Sequence, residues 1–168
     1  ATTYYYRIVA QNNSGTTYGS EKSFTTSDTS APTGSISINR DATYTKSISV
    51  TLTLSATDNA GVTGYYISNS STEPSASAAG WTSVTSTTNY NEDVSHTLSS
   101  GDGEKTVYVW CKDTSENISN VVSDSIILDQ TPPTITITSP TSDNIYTVTS
   151  SVIAIGGSAS DTTSGVSS

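Results

Sequence analysis

The sequence has little of what an enzyme or a disulfide-stabilised domain requires. Its 168 residues include one cysteine, one histidine, one phenylalanine and no methionine, and only 12% are charged. The single cysteine, Cys111, excludes an intrachain disulfide, and its place in an apolar alternating row indicates a buried residue. The single histidine, His96, excludes a pair of histidine ligands, and its neighbour Ser95 faces the opposite side of a strand. We therefore predict a protein without catalytic activity.

The charge balance and the absence of long apolar runs exclude further classes. Six basic residues stand against 15 acidic ones, which gives a formal net charge of -9. Such a chain is not attracted to a phosphate backbone, so we expect no nucleic-acid partner. No apolar run is long enough to cross a bilayer, so we expect no membrane insertion. The missing initiator methionine and signal peptide predict an excerpt or a processed product of a longer protein.

The residue types that are abundant in this sequence favour β-strands. Ser, Thr, Val, Ile and Tyr dominate, and no stretch shows helical periodicity. Between residues 48 and 56 apolar and polar side chains alternate strictly, as in a half-buried strand. Two further apolar rows follow, around Val109 and around Leu128. The chain is therefore predicted to be all-β.

An internal repeat predicts the domain organisation. The sequence SATDNAGV at residues 55–62 recurs as SASDTTSGV at 158–166, and a similar opening precedes each copy, at 31–38 and at 132–138. The offset of roughly 100 residues is the size of one immunoglobulin-type sandwich. We predict a complete domain over residues 30–130 and the opening part of a second one over 131–168.

The first 29 residues are predicted to belong to a different domain. Residues 3–12 alternate as a strand, residues 13–15 form a turn, and a partner strand returns from Glu21. The sequence TYYYRIVAQNNSG at 3–15 resembles the last two strands of a fibronectin type III domain. The segment 1–29 is accordingly identified as the C-terminal part of such a domain.

The complete unit resembles the bacterial immunoglobulin-like domains that occur in tandem on surface and secreted proteins. The resemblance rests on residues 56–62, on 107–113 and on the DQTPP junction at 129–133. It implies tandem β-sandwiches, an extracellular or cell-surface location, and a structural or adhesive role as stalk, sheath or filament. Two prolines at the junction stiffen the exit from the domain.

Acidic loops are the candidate functional site. In the implied topology the loop of Asp58, the hairpin of Asp113 and the incoming Asp28 share one pole of the sandwich. Clustered carboxylates repel one another unless a cation lies among them, and Ca²⁺ prefers such oxygen ligands. The predicted interdomain Ca²⁺ ligands are Asp28, Asp58, Asn59, Asp113 and Asn117, with Asp129 and Asp161 beginning a second site. The alternative is that these residues only form turns through their own backbone.

Aromatic side chains suggest a second kind of site. Several of them, Trp110 included, lie on the polar phase of their strands. A row of exposed rings would bind cell-surface glycans by stacking. The alternative is cross-strand aromatic pairing that stiffens the sheet.

The sequence thus predicts a non-catalytic module whose partners are neighbouring domains or further copies in an array. Two other functions stay open: an accessory domain of a secreted polysaccharide-degrading enzyme, and a phage fibre or decoration domain. Partial domains at both ends would expose sheet edges, so a chain of this natural length would be completed by strands from its neighbours.

Overall fold

The chain folds entirely into β-structure. We describe a computed structural model, which covers residues 1–140, 143, 145–149 and 152–166; no helix occurs in these ranges. The strands are β1 (Thr3–Tyr6), β2 (Val9–Asn12), β3 (Gly15–Tyr18), β4 (Lys22–Thr25), β5 (Thr33–Ile38), β6 (Tyr44–Thr45), β7 (Ser49–Ser68), β8 (Thr82–Thr97), β9 (Gly103–Asp113), β10 (Val122–Leu128), β11 (Thr134–Ser139) and β12 (Gly156–Ser160).

Six strands, β5 to β10, form one continuous sheet that curls around a single core. The order is β5-β7-β9-β10-β6, and β8 pairs with β7. Strand β7 contributes to both halves of the sheet: residues 52–57 pair with β5 and residues 62–68 pair with β9. Strand β8 pairs with residues 49–57 and, beyond the bend, with Val62, Gly64 and Tyr65. Register shifts between Thr57 and Val62 mark the bend between the halves.

The core inside this curl consists of the apolar rows that the sequence alternation predicts. Every second residue of β7 from Val50 to Ala56 is buried, as are the rows on β9 and β10. The central members of this core are Val50, Leu52, Leu54, Ala56, Val107, Val109, Cys111 and Ile126. The predicted all-β class is confirmed, and the position of Cys111 in the core agrees with its prediction.

A second packed layer lies on the outer side of β7 and β9. The indole of Trp110 is 1% exposed and lies between the rings of Tyr66 and Tyr108, with centroids 6.2 and 6.5 Å away. The loop between β7 and β8 covers this layer: Trp81 contacts the Tyr66 ring, and its Nε1 donates to the Ser75 carbonyl. Within this loop Pro74 is buried.

The terminal segments form three small sheets of their own. Strand β1 pairs with β4, β2 with β3, and β11 with β12, all antiparallel. The first segment thus contains four short strands, not one long strand and a partner. The predicted strand breaks at Arg7, whose guanidinium lies 4.2 Å from the centre of the Tyr18 ring.

Burial of Trp110 predicts a large effect on stability. Replacing a buried tryptophan with alanine removes its contacts and leaves a cavity, so Trp110→Ala is expected to lower the free energy of unfolding by about 3–5 kcal/mol. Urea denaturation measures this loss. The matched variant Tyr44→Ala, at a ring that is 49% exposed, is expected to lose clearly less, and equal losses would contradict the packing described.

Candidate metal centre

Asp28 comes from the linker between β4 and β5, yet its side chain is buried. Its Oδ1 accepts a hydrogen bond from the backbone N–H of Ser30 at 3.1 Å, and its Oδ2 accepts one from Asn59 Nδ2 at 3.3 Å. The first of these bonds, together with smaller contributions, lowers the pKa of the Asp28 carboxyl below its ordinary value. The Asp28 carboxylate is therefore held in its ionised form beside Asn59, in the bend of β7.

Asp58 lies at the bend of β7. Its Oδ1 accepts the N–H groups of Ala60 and Gly61 at 2.8 and 2.9 Å, which closes a tight turn. Gly61 has φ 106°, a conformation that glycine adopts without strain. The turn leaves only 8% of Asp58 exposed.

Asp113 ends β9 and starts the hairpin to β10. Its Oδ1 accepts the N–H groups of Ser115 and Asn117 at 2.7 and 2.9 Å, and its Oδ2 accepts Asn117 Nδ2 at 2.7 Å. Glu116 adopts a left-handed φ of 65°, a conformation that residues other than glycine seldom adopt. The Thr63 hydroxyl donates to the Asp113 carbonyl at 2.6 Å and joins this strand end to β7.

The three carboxylates converge at one end of the central sheet. One carboxylate oxygen from each of Asp28, Asp58 and Asp113 lies within 4.8 Å of the other two, and all three side chains are buried. The hydrogen bonds that these carboxylates accept come only from neutral N–H groups. No second group of three ligating side chains lies this close in the part of the chain that the structure describes. The structure therefore brings together the three predicted carboxylates.

Two asparagines connect the linker to this cluster. Asn117 Nδ2 donates to the carbonyls of Asp28 and Ser30 at 3.1 and 3.4 Å, in addition to the Asp113 carboxylate. Asn59 contributes its bond to Asp28. Both predicted helper residues thus lie at the cluster, and each directs its amide Nδ2 towards a carboxylate.

The second predicted site contains fewer carboxylates. Asp129 and Asp161 line one open pocket, which Lys46 also borders. Asp161 accepts the N–H groups of Thr163, Ser164 and Gly165 at 3.0, 2.9 and 3.1 Å; the bond from Ser164 contributes most to lowering its pKa. These bonds match the turn interpretation of this residue.

Asp102 is a junction residue that sequence reasoning missed. It lies in the loop between β8 and β9, where its carboxylate accepts the Thr131 hydroxyl at 2.5 Å and the Gln130 N–H at 2.8 Å. The Thr131 bond, followed by the Gln130 bond, lowers the pKa of Asp102. The loop therefore holds the linker that leads to β11. Its GDG sequence predicts a turn but does not indicate which segment the aspartate will bind.

The remaining candidates have structural contacts. His96 on β8 is half-buried, with Nε2 3.0 Å from Asn69 Oδ1, and burial lowers its pKa. Burial raises the pKa of the Cys111 thiol to about 11. Trp110, the ring proposed for glycan stacking, is buried, so it presents no face to a sugar.

Fold and cluster define the class: an all-β protein with a buried acidic junction between a linker and a curled sheet. No protein-family model matches this sequence, and no curated protein is significantly similar to it. Within the described ranges there is no helix with the length and hydropathy needed to cross a membrane.

The Ser30 contact predicts how Asp28 titrates. In the presence of a chelator, carboxyl-carbon NMR should give a pKa for Asp28 below the ordinary aspartate value. Because the folded pKa is lowered, the ionised carboxylate stabilises the fold above the ordinary pKa of about 3.9, and this contribution disappears as the pH falls through the folded pKa.

The control removes the donor itself. Ser30→Pro deletes the N–H group and should raise the Asp28 pKa, whereas Ser30→Ala keeps the group and should leave the pKa low. Equal values in the two variants would show that this hydrogen bond does not set the titration.

Proposed function

We propose that this chain is a non-catalytic structural module of an extracellular multidomain protein, a spacer whose domain junction is fixed by Ca²⁺. The observation that carries the proposal is the meeting of Asp28, from the linker, with Asp58 and Asp113, from two loops of the following sheet. A cation bound there would hold the linker and the sheet in one arrangement.

The chemistry of the donors favours Ca²⁺. The three carboxylates offer an oxygen-only set. The amides of Asn59 and Asn117 donate to these carboxylates through Nδ2, so each amide would have to turn over to add its oxygen as a ligand. Ca²⁺ accepts roughly six to eight oxygen ligands in flexible geometry, whereas Mg²⁺ demands a near-ideal octahedron and gives up its waters reluctantly. Zn²⁺ is bound mainly by Cys and His in proteins, and neither type is part of the cluster.

Strand pairing supports an immunoglobulin-like sandwich for the central unit. In that fold one sheet contains strands A, B and E and the other contains C, F and G. Here β5 and most of β8 flank the first half of β7, although the start of β8 also pairs with the second half. The second half of β7 pairs with β9, which pairs with β10. β5, β7 and β8 would correspond to A, B and E, and the end of β7 with β9 and β10 to C, F and G.

Composition supports the spacer role and the extracellular location. A Ser/Thr-rich acidic surface keeps a long array soluble, and free Ca²⁺ in extracellular media suffices for modules of low affinity. Both ends of the central sheet hold a linker by hydrogen bonds, through Asn117 at one end and Asp102 at the other. Linkers held in this way would restrict the motion between neighbouring domains and so favour an extended, rigid array.

Ca²⁺ is expected to raise the melting temperature of the protein. A ligand that binds only the folded state adds about 2.7 kcal/mol of stability at 100 times its Kd. Differential scanning calorimetry in Ca²⁺, in Mg²⁺ and in chelator measures the change. Asp58→Asn should abolish the Ca²⁺ response, while Asp93→Asn, at an exposed aspartate of β8, should keep it. If Ca²⁺ does not raise the melting temperature of the native chain, only the interpretation of these aspartates as turn residues remains.

The spacer role has its own measurement. Spin labels at Thr17→Cys and Ser123→Cys report the distance between β3 and β10. The native Cys111 does not interfere, because it is buried and its raised pKa makes the thiol resist labelling. In electron-electron resonance, Ca²⁺ should narrow the distance distribution of the native sequence but not of Asp58→Asn. A distribution that stays broad in saturating Ca²⁺ would reject a rigid junction.

A further inference from the structure

Strand β8 has an open edge. It is 16 residues long and, among the residues that the structure describes, forms its ladder with β7 alone. A strand with one neighbour leaves half of its main-chain N–H and C=O groups without a ladder partner, which makes it a template for an added strand.

The register shows which groups face outward. Opposite residues of an antiparallel ladder alternate between pairs that exchange hydrogen bonds and pairs that do not. The N–H of Leu98 donates to the Ile48 carbonyl at 2.8 Å, in register with the Ser49–Thr97 pair. Counting by twos from Leu98 places Tyr90, Glu92, Val94 and His96 in bonded pairs. Asn91, Asp93 and Ser95 therefore direct their main-chain groups away from β7.

A neighbouring contact supports this assignment. Thr51 lies opposite Ser95, and its own N–H and C=O bond Asn39 on the other side of β7, at 2.9 and 2.8 Å. Residues of a pair that does not exchange bonds must both turn outward in this way. The six groups of Asn91, Asp93 and Ser95 thus form a continuous free edge.

The other edges of the central sheet are shorter or covered. Strand β6 has two residues, and on β5 the Asp124 carboxylate accepts the N–H of Ile38 at 2.7 Å. Side chains cover the main-chain groups on both sides of residues 91–95. On one side the Thr87 hydroxyl bonds both main-chain groups of Asn89, and on the other Asn69 Nδ2 donates to the Thr97 carbonyl. Side chains therefore delimit the free segment to residues 91–95.

The acidic side chains of β8 indicate which kind of strand this edge would bind. Charged side chains, lysine above all, and proline commonly protect exposed edges from pairing. Strand β8 contains neither lysine nor proline, and its charged side chains are both acidic. It bears exposed Glu92 and Asp93, whose side chains lie on opposite faces of the strand. A groove beside the edge is lined by Val84, Tyr90 and Glu92, among others. A second copy of this chain would bring the same carboxylates into this edge, and each copy has a net charge of -9.

We propose that the 91–95 edge of β8 binds an extended segment of another protein by strand addition, and that this segment presents lysine or arginine to Glu92 and Asp93. Main-chain bonds supply the affinity, and the two carboxylates supply the preference for a basic strand. This binding is separate from the metal centre, since none of the edge residues lies in the cluster.

Hydrogen exchange tests the proposal without any substitution. The probe is the synthetic peptide acetyl-Thr-Val-Lys-Val-Lys-Val-Thr-amide, with a control in which both lysines are glutamates. The lysine peptide should slow exchange of the Asn91, Asp93 and Ser95 amides at least tenfold, and the glutamate peptide should not. The amides of Glu92 and Val94, already bonded to β7, serve as internal references.

Matched substitutions then separate main-chain pairing from charge. Ser95→Pro removes an outward N–H without breaking a bond to β7 and should weaken peptide binding at least tenfold, whereas Ser95→Ala should not. The double variant Glu92→Gln, Asp93→Asn should bind both peptides equally. Equal binding by the Pro and Ala variants, or no slowing at the three amides, would overturn the proposal. Dimers formed through β8 in sedimentation experiments would also overturn it.

Discussion

Three like charges buried within 4.8 Å of one another are the constraint on which the junction depends. Carboxylates lose hydration on burial and repel each other, so the fold must supply compensation at this point. It does so with N–H dipoles from two turns and with the amides of Asn59 and Asn117. The compensation stabilises each carboxylate by hydrogen bonding but adds no positive charge.

Alternation of apolar residues explains how much of the fold could be predicted. The rows of β7, β9 and β10 have period two and a single buried face, so the sequence defines their core side chains. A different argument predicted that Asp28, Asp58 and Asp113 meet at one end: in the topology implied by the family resemblance, loops that join strands of equal direction meet at one pole. Alternation alone does not predict this meeting.

Other features depend on contacts that periodicity does not encode. Trp110 lies on the polar phase of β9, and its burial requires a cover that residues 69–80 provide from outside the sheet. A Ser- and Ala-rich loop shows no period, so its packing against Tyr66 was not visible. Asp102 was missed for the same reason: its partners, Gln130 and Thr131, lie 28 and 29 residues away.

The direction of the Lys112 side chain is consistent with the proposed cation site. Lys112 precedes Asp113 in the chain and is the basic residue nearest to it in sequence. Strand alternation turns it to the outer face, where its Nζ donates to the Ala76 carbonyl at 3.0 Å and lies 5.0 Å from the centre of the Trp81 ring. Lys112 is the residue that could neutralise the cluster, but its side chain stabilises the aromatic layer instead. With six basic residues for 15 acidic ones, the chain has few others to offer, and this shortage supports the proposal that Ca²⁺ balances the charge at the junction.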